Sequence, residues 1–340
     1  MKSFKKFIFK CICFILPILL LIGLYIYNDP FKVLRKYKTY DTHPLFLNES
    51  YIGWQTYLNF QDSLHFNSFI LGNSCTMAYK TQEWEKYLQA GKAIRLYGNA
   101  EGLGEVCQKL KALDRQNIPI SNLLFIFDKS LLQKTQPSSN YMFVLPPDVS
   151  GKSNFSFQMY FLQGFLNPKF LIPYLDYKLF HHYRSYMNGI INPTSSQRNL
   201  LTNDQINPSE NEIRRIGVKY WKNRSYVFYT RSGQYQEYPP VVNGASVKQL
   251  KEIYTIIRKH HTQFKIIINP NYSQQQFNPA DLAKLKQIFG SENVFDFSGI
   301  NTYTNDIHNF YETTHYRDTL GQQILKQIYA AQNRKSVNHP

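Results

Sequence analysis

The chain is short of the residues that build metal centres. Its 340 residues include four cysteines, none of them in a C-x-x-C pair, and neither histidine doublet (His181-His182, His260-His261) has ligand spacing. These gaps argue against a structural zinc site, and neither a metal nor another cofactor is expected. Internal repeats and low-complexity segments are also missing. So are Arg-rich blocks and any known nucleic-acid motif, although Lys and Arg number 39 against 23 Asp and Glu. A scattered excess of +16 suits an anionic membrane surface or envelope polymer rather than a nucleic acid, with an ordinary solvated surface as the plain alternative. Charged residues make up only 18% of the chain, while Tyr (26) and Phe (25) are plentiful. That balance predicts a packed globular domain, not a disordered chain.

One apolar stretch stands apart. Cys11 to Tyr27 (CICFILPILLLIGLYIY) carries no charge, and Phe7 to Phe9 extend it past Lys10. About 20 apolar residues cross a hydrocarbon core, and Pro17 and Gly23 are tolerated in such helices. A cleaved signal peptide is the rival reading, since Lys2, Lys5, Lys6 and Lys10 resemble its basic start. Tyr27-Asn28-Asp29-Pro30-Phe31 offers no small-x-small cleavage site, and no cysteine follows the run where a lipoprotein would be processed. An uncleaved single-pass anchor over 1–28 is therefore expected. Lysines before the run are nearly balanced by Lys32, Arg35, Lys36 and Lys38 after it, so charge alone leaves the orientation open.

Past a polar connecting segment (29–66), short apolar runs alternate with amphipathic stretches. Strands are predicted at Ser68 to Leu71, Ala93 to Tyr97, Leu123 to Phe127, Phe264 to Ile268 and Val294 to Phe297. Helical patterns fall near Gln82 to Leu88, Val106 to Leu113, Val247 to Arg258, Ala280 to Phe289 and Thr319 to Tyr329. Asn278-Pro279-Ala280-Asp281 reads as a helix start and Gly290 as its stop. Continuous apolar strands between helices imply an α/β domain (67–335) with a parallel sheet covered on both faces. The alternation breaks over about 131–244, read as one long insertion across the C-terminal edge of the sheet, where open α/β sheets place their functional crevice. A helical cap without a role is the alternative.

Two segments carry chemistry. Phe69-Ile70-Leu71-Gly72-Asn73-Ser74 runs from a strand straight into a turn, placing a serine at the strand's C-terminal end beside backbone N–H groups. Asn309-Phe310-Tyr311-Glu312-Thr313-Thr314-His315-Tyr316 precedes the last helix, and a glutamate three residues before a histidine can hold its imidazole toward the serine. Each alone reads as an ordinary turn or helix start; together, at the two ends of the α/β alternation, they read as a serine triad.

With these two motifs the chain resembles the SGNH (GDSL-like) hydrolase superfamily, over roughly 67–130 and 246–332. The resemblance implies a three-layer flavodoxin-like fold, with Ser74 as nucleophile, His315 as general base and Glu312 as the acid that orients it. It also implies an oxyanion hole from the Ser74 N–H and a glycine after the second strand, here Gly102, with Gly98 as the weaker candidate. Where the family places an asparagine after its third strand this chain has Asp128, and an ionised aspartate cannot donate. Asn271 is the candidate substitute; Asn73, Asp128 and Asn271 are the candidate substrate-binding residues. Such departures, with an anchor, resemble the envelope branch that includes alginate O-acetylation proteins and the D-alanyl transfer protein of lipoteichoic acid synthesis. That branch implies an extracytoplasmic domain acting on an envelope glycan or acyl donor, beside a membrane-bound O-acyltransferase. A non-catalytic assembly component of such a system, and a lipase with an aromatic lid, are the other readings. An oxidising compartment permits a disulfide between Cys75 and Cys107, but two reduced cysteines are expected.

Overall fold

A computed structural model describes residues 2–40, 44–192 and 197–336. Its centre is a five-stranded, all-parallel sheet of β1 (Ser68–Gly72), β2 (Ala93–Tyr97), β3 (Asn122–Phe127), β6 (Gln263–Ile268) and β7 (Val294–Asp296). A small antiparallel ribbon, β4 (Gln197–Arg198) with β5 (Gln205–Ile206), stands apart from it. The order across the sheet is β2-β1-β3-β6-β7. The chain thus starts in the interior, steps to one side for β2 and crosses back past β1 for β3.

Alternating side chains of each strand feed two cores. Phe69, Leu71, Phe125 and Ile268 point to one, with the helices Leu103–Arg115, Gly244–Lys259 and Pro279–Phe289. Ile70, Leu124, Ile126 and Ile267 point to the other, under the terminal helix Asp318–Ser336. Burial on both faces is what an uninterrupted apolar strand requires, and it is why these runs stood out in the sequence. The expected helix start also holds, with Asn278 Oδ1 accepting from the N–H groups of Ala280 (3.1 Å) and Asp281 (3.2 Å).

Two sequence expectations need correction. The segment 29–66 is not merely a polar connector. Its second half is the helix Glu49–Leu64, which sinks Trp54 and Tyr57 fully into the first core. Nor does the insertion lie only over the sheet edge. Its first half, with the helices Asn154–Leu166 and Pro168–Phe180, joins the C-terminal end of the first helix and the connector in a third core built around Tyr25, Phe31, Tyr51, Phe161 and Phe170. Its second half, residues 197–228, does serve the sheet. Thr202 O accepts from the Arg95 N–H at 3.0 Å on the β2 edge, and Trp221 and Tyr220 join the second core.

Among the described residues one helix, Phe4–Asn28, is long and apolar enough to cross a membrane; it contains an 18-residue stretch of mean hydropathy 2.7 that is not buried within the protein. Its end is finished by two side chains. The Arg35 guanidinium donates to Ile26 O (2.8 Å) and Tyr27 O (3.2 Å), satisfying terminal carbonyls. The Asp29 carboxylate accepts from the N–H groups of Val33 (2.9 Å), Leu34 (3.1 Å) and Arg35 (3.2 Å).

Candidate active site

Between β1 and β3 the connections leave in opposite directions, which opens a crevice at their C-terminal ends. Ser74 sits there because of Gly72. That residue has φ +145°, and a Cβ on it would lie 2.4 Å from Ile126 O of β3. Only glycine allows the chain to turn this tightly against its neighbour strand. Ser74 opens the short 3-10 turn Ser74–Ala78, capped by Asn73, whose Oδ1 accepts from the Cys75 N–H at 3.0 Å. Gly321 of the terminal helix presses on the back of this turn, where a Cβ would stand 2.1 Å from Ala78 O.

Across the crevice, the segment between β7 and the terminal helix folds back on itself. Phe310 and Tyr316 form an antiparallel bridge, and the Tyr311 N–H donates to His315 O at 2.9 Å. The loop so pinched presents Glu312 and His315 together. His315 Nε2 lies 2.7 Å from Ser74 Oγ, 241 residues away in sequence. His315 Nδ1 is hydrogen-bonded to Glu312 Oε1. A carboxylate on Nδ1 keeps the proton on that nitrogen, which leaves Nε2 free to accept from the serine hydroxyl. Glu312 Oε2 accepts from the Thr314 N–H (2.6 Å) and from its hydroxyl. Partial burial of Glu312 favours the neutral acid, but the bonds from His315 and Thr314 outweigh it and hold the carboxyl below its usual range. The side chains of His315 and Glu312 remain 29% and 35% exposed, so a ligand can reach them.

The loop is braced by the insertion. Tyr220 donates its hydroxyl to Tyr311 O at 2.7 Å, and Trp221 Nε1 donates to Phe310 O at 2.9 Å. Glu210, 4% exposed, takes two bonds from Arg317 (2.7 and 3.1 Å) and one from the Tyr311 hydroxyl (2.9 Å). Both ends of the Glu312–His315 loop are thus tied to residues 210–221. Beneath it, the Tyr316 hydroxyl donates to Asn269 Oδ1 at 2.6 Å, directly after β6.

The remaining sequence candidates divide. Asn73 and Asp128 do meet, with Asn73 Nδ2 donating to Asp128 Oδ2 at 2.6 Å, while Asp128 Oδ1 caps the following turn by accepting from the Leu131 N–H at 2.8 Å. Gly102 is displaced from the oxyanion role. Its N–H donates to Glu105 Oε2 at 3.0 Å at the start of the helix Leu103–Arg115, and the space at its Cα is closed by Lys134. Gly98 is packed against Ser50 and Glu101. Asn271 is likewise spent locally, donating to Gln275 O at 3.0 Å and accepting from the Ser273 hydroxyl at 2.6 Å. The Cys75 N–H is taken by Asn73 Oδ1 and the Thr76 N–H by Asn73 O. The Ser74 N–H has no partner among the described residues. Cys75 and Cys107 are both free thiols. Cys107 Sγ contacts Glu252 on the other side of the sheet, and burial together with the charges of Asp128 and Glu312 pushes the Cys75 thiol well above its usual pKa. A protonated thiol is a weak nucleophile. Among the described residues no cluster of His, Cys, Asp or Glu could hold a metal ion.

No protein-family model matches the chain, and a search of curated proteins returns no match.

Proposed function

We propose that this chain is a membrane-anchored, serine-dependent O-acyl esterase or acyltransferase of the SGNH type, acting on an envelope glycan or glycolipid outside the cytoplasm. The observation that carries the reading is the unbroken relay of Ser74, His315 and Glu312 at the crevice between β1 and β3. Ser74 Oγ attacks an ester carbonyl as His315 Nε2 takes its proton. The oxyanion that forms faces the unpartnered Ser74 N–H. Collapse of the intermediate expels the alcohol, which receives the proton from His315, and leaves an ester on Ser74. A second hydroxyl, from a sugar or from water, gives its proton to His315, attacks that ester and restores the serine.

Three features support the family and the substrate class. Omitting the separate ribbon, the sheet order corresponds to the flavodoxin-like 2-1-3-4-5 pattern. Two of the three departures from the family pattern, Asn73 in place of the aspartate before the serine and Asp128 in place of the asparagine after the third strand (Glu312 for aspartate is the third), hydrogen-bond each other. Beside Asp128, Lys129 lies over the Tyr238 ring at 4.4 Å, and the neighbouring Tyr229 is 51% exposed. Exposed aromatic faces of this kind stack on sugar rings.

A second reading, a non-catalytic assembly component, is favoured by one observation. Gly102 and Asn271 are both committed elsewhere, which leaves the Ser74 N–H as the one identified oxyanion donor. Polymer acylation in cells separates the two. Loss of acylation in Ser74→Ala with normal protein levels supports the enzyme, whereas wild-type acylation in that variant supports the assembly role. A membrane-bound O-acyltransferase is the partner we propose for either.

A further inference from the structure

The anchor does not simply tether the α/β domain; it is clamped into it. From Phe4 to Asn28 the helix has 25 residues, a length of about 37 Å at 1.5 Å per residue. A hydrocarbon core is about 30 Å thick; with Lys5, Lys6 and Lys10 at its other face, the helix reaches the headgroup zone at its C-terminal end, near Asn28. That end is gripped by the insertion. Tyr25 packs on Phe165 at 5.2 Å, and Phe31, just past the helix, packs on Phe170 at 4.7 Å and Phe161 at 5.4 Å. The helices Asn154–Leu166 and Pro168–Phe180 are therefore held at the level where the anchor leaves the bilayer.

This helix pair carries largely exposed apolar side chains, of which Phe180 has the Arg184 guanidinium over its ring at 5.3 Å. Phe155 is 74% exposed, Leu179 72%, Phe180 64% and Ile172 59%. Ile172 and Leu179 are seven residues apart and so share one helix face. Phe155 and Phe180 both sit at the ends far from Asn167, which joins the two helices. Beside Ile172 lies an open cleft of about 440 Å³, walled by Pro168, Pro173, Tyr186 and Ile190 with Lys169 at its edge. Exposed Lys152, Lys169 and Lys178 surround these side chains, and Arg35, Lys36 and Lys38 extend the basic character along the anchor's exit. An apolar face rimmed by basic residues is the pattern of a segment lying in the interface of an anionic leaflet.

We infer that the Asn154–Leu166 and Pro168–Phe180 pair is a second membrane contact, which rests on an anionic phospholipid surface and holds the α/β domain at a fixed height and tilt. The inference depends on the anchor crossing the bilayer. It accounts for the position of an insertion half that contributes nothing to the triad. Two contacts on one rigid body bind far better than either alone, because the second is made at high effective concentration.

The test uses the full chain in vesicles of phosphatidylglycerol and phosphatidylcholine, with acyl chains either plain or brominated. Native Trp54, Trp84 and Trp221 are buried in the α/β domain and give a reference emission. Phe180→Trp and Leu179→Trp, each at an exposed site, add a reporter. The expected result is that the added emission is largely lost in brominated vesicles, while the reference is unchanged, and that omitting phosphatidylglycerol restores part of it. Added emission equal in both vesicles, from protein that resists a carbonate wash, overturns the second contact and leaves the anchor standing. Emission protected from aqueous iodide yet untouched by bromine also overturns it, in favour of a protein covering the face. Release of the chain by the carbonate wash overturns the anchor itself.

Discussion

Replacing Glu210 with glutamine removes a charge that ties the Glu312–His315 loop to the insertion. The native carboxylate satisfies the Arg317 guanidinium through two bonds and the Tyr311 hydroxyl through a third, with side-chain exposures of 4% for Glu210 and 17% for Arg317. Removing one member of a buried pair costs about 3–5 kcal/mol, mostly from the stranded partner. Arg317 keeps some water, which places the loss near the lower end, about 3 kcal/mol. For a domain of about 270 residues, at roughly 2.1 cal/mol/K per residue, such a loss lowers Tm by about 5 °C. The anchoring points lie on either side of Glu312 and His315, so a shift there moves the imidazole relative to Ser74. Displacement on the scale of an ångström costs on the order of 100-fold in rate. Arg317→Met should be at least as harmful, because it strands the carboxylate, and the double variant should recover part of the stability. Thermal unfolding in detergent, paired with the rate of Ser74 acylation by an activated ester, reads both effects. An unchanged Tm in Glu210→Gln, or equal acylation rates at matched folded fractions, would refute the brace. The acid side gives a check of sign. Bonds from Arg317 and Tyr311 overcome burial and keep the Glu210 carboxyl below its usual 4.5, so its contribution is present above that pH and fades as pH falls through the lowered value.

Other expectations follow from the same contacts. Lys109 and Glu101 form an ion pair at 2.6 Å, each 1% exposed. Burial already raises the Glu101 carboxyl to about 7, so in Lys109→Met it takes up a proton and the cost should fall below that of a stranded charge, about 3–5 kcal/mol, as denaturant titration measures. Glu312 has a lowered pKa, so the stability lost in Glu312→Gln should be fully present above its usual 4.5 and fade as pH falls through the lowered value, as read from Tm against pH for the two proteins. Gly72→Ala should prevent correct folding or abolish acylation, since its methyl group would meet Ile126 O at 2.4 Å. Thiol labelling of unfolded, unreduced protein should modify both Cys75 and Cys107, and failure to label either would contradict their free state.

The parts of this molecule legible in the sequence share a physical cause. Five strands could be read because most of their residues are apolar and buried on both faces, with Arg95, Lys265 and Asp296 as the charged exceptions. Ser74, Glu312 and His315 could be read because each sits at a boundary between a strand or loop and a helix, where the spacing of polar residues is informative. The helix Glu49–Leu64 was not legible, since its buried side includes Ser50, Gly53 and Thr56 beside Trp54 and Tyr57, which blurs any apolar stripe. Gly102 was misread because the glutamate three residues on, Glu105, captures its N–H, a capping pattern present in the sequence. Asn271 was misread for a similar reason, because Asn-x-Ser favours a local turn bonded by its own side chain. Asn269, nearer the strand end, is the one that reaches Tyr316. The Glu210–Arg317 tie spans 107 residues and leaves no local trace.

The central claim is that Ser74 is an activated nucleophile. Incubating the full chain with an activated short-chain ester and mapping the product by mass spectrometry tests it most directly. A single acyl adduct on Ser74, absent from Ser74→Ala and slower to form in Glu312→Gln, is the predicted result. An adduct on Cys75, or acylation of Ser74 unaffected by removing the His315 imidazole, would contradict it.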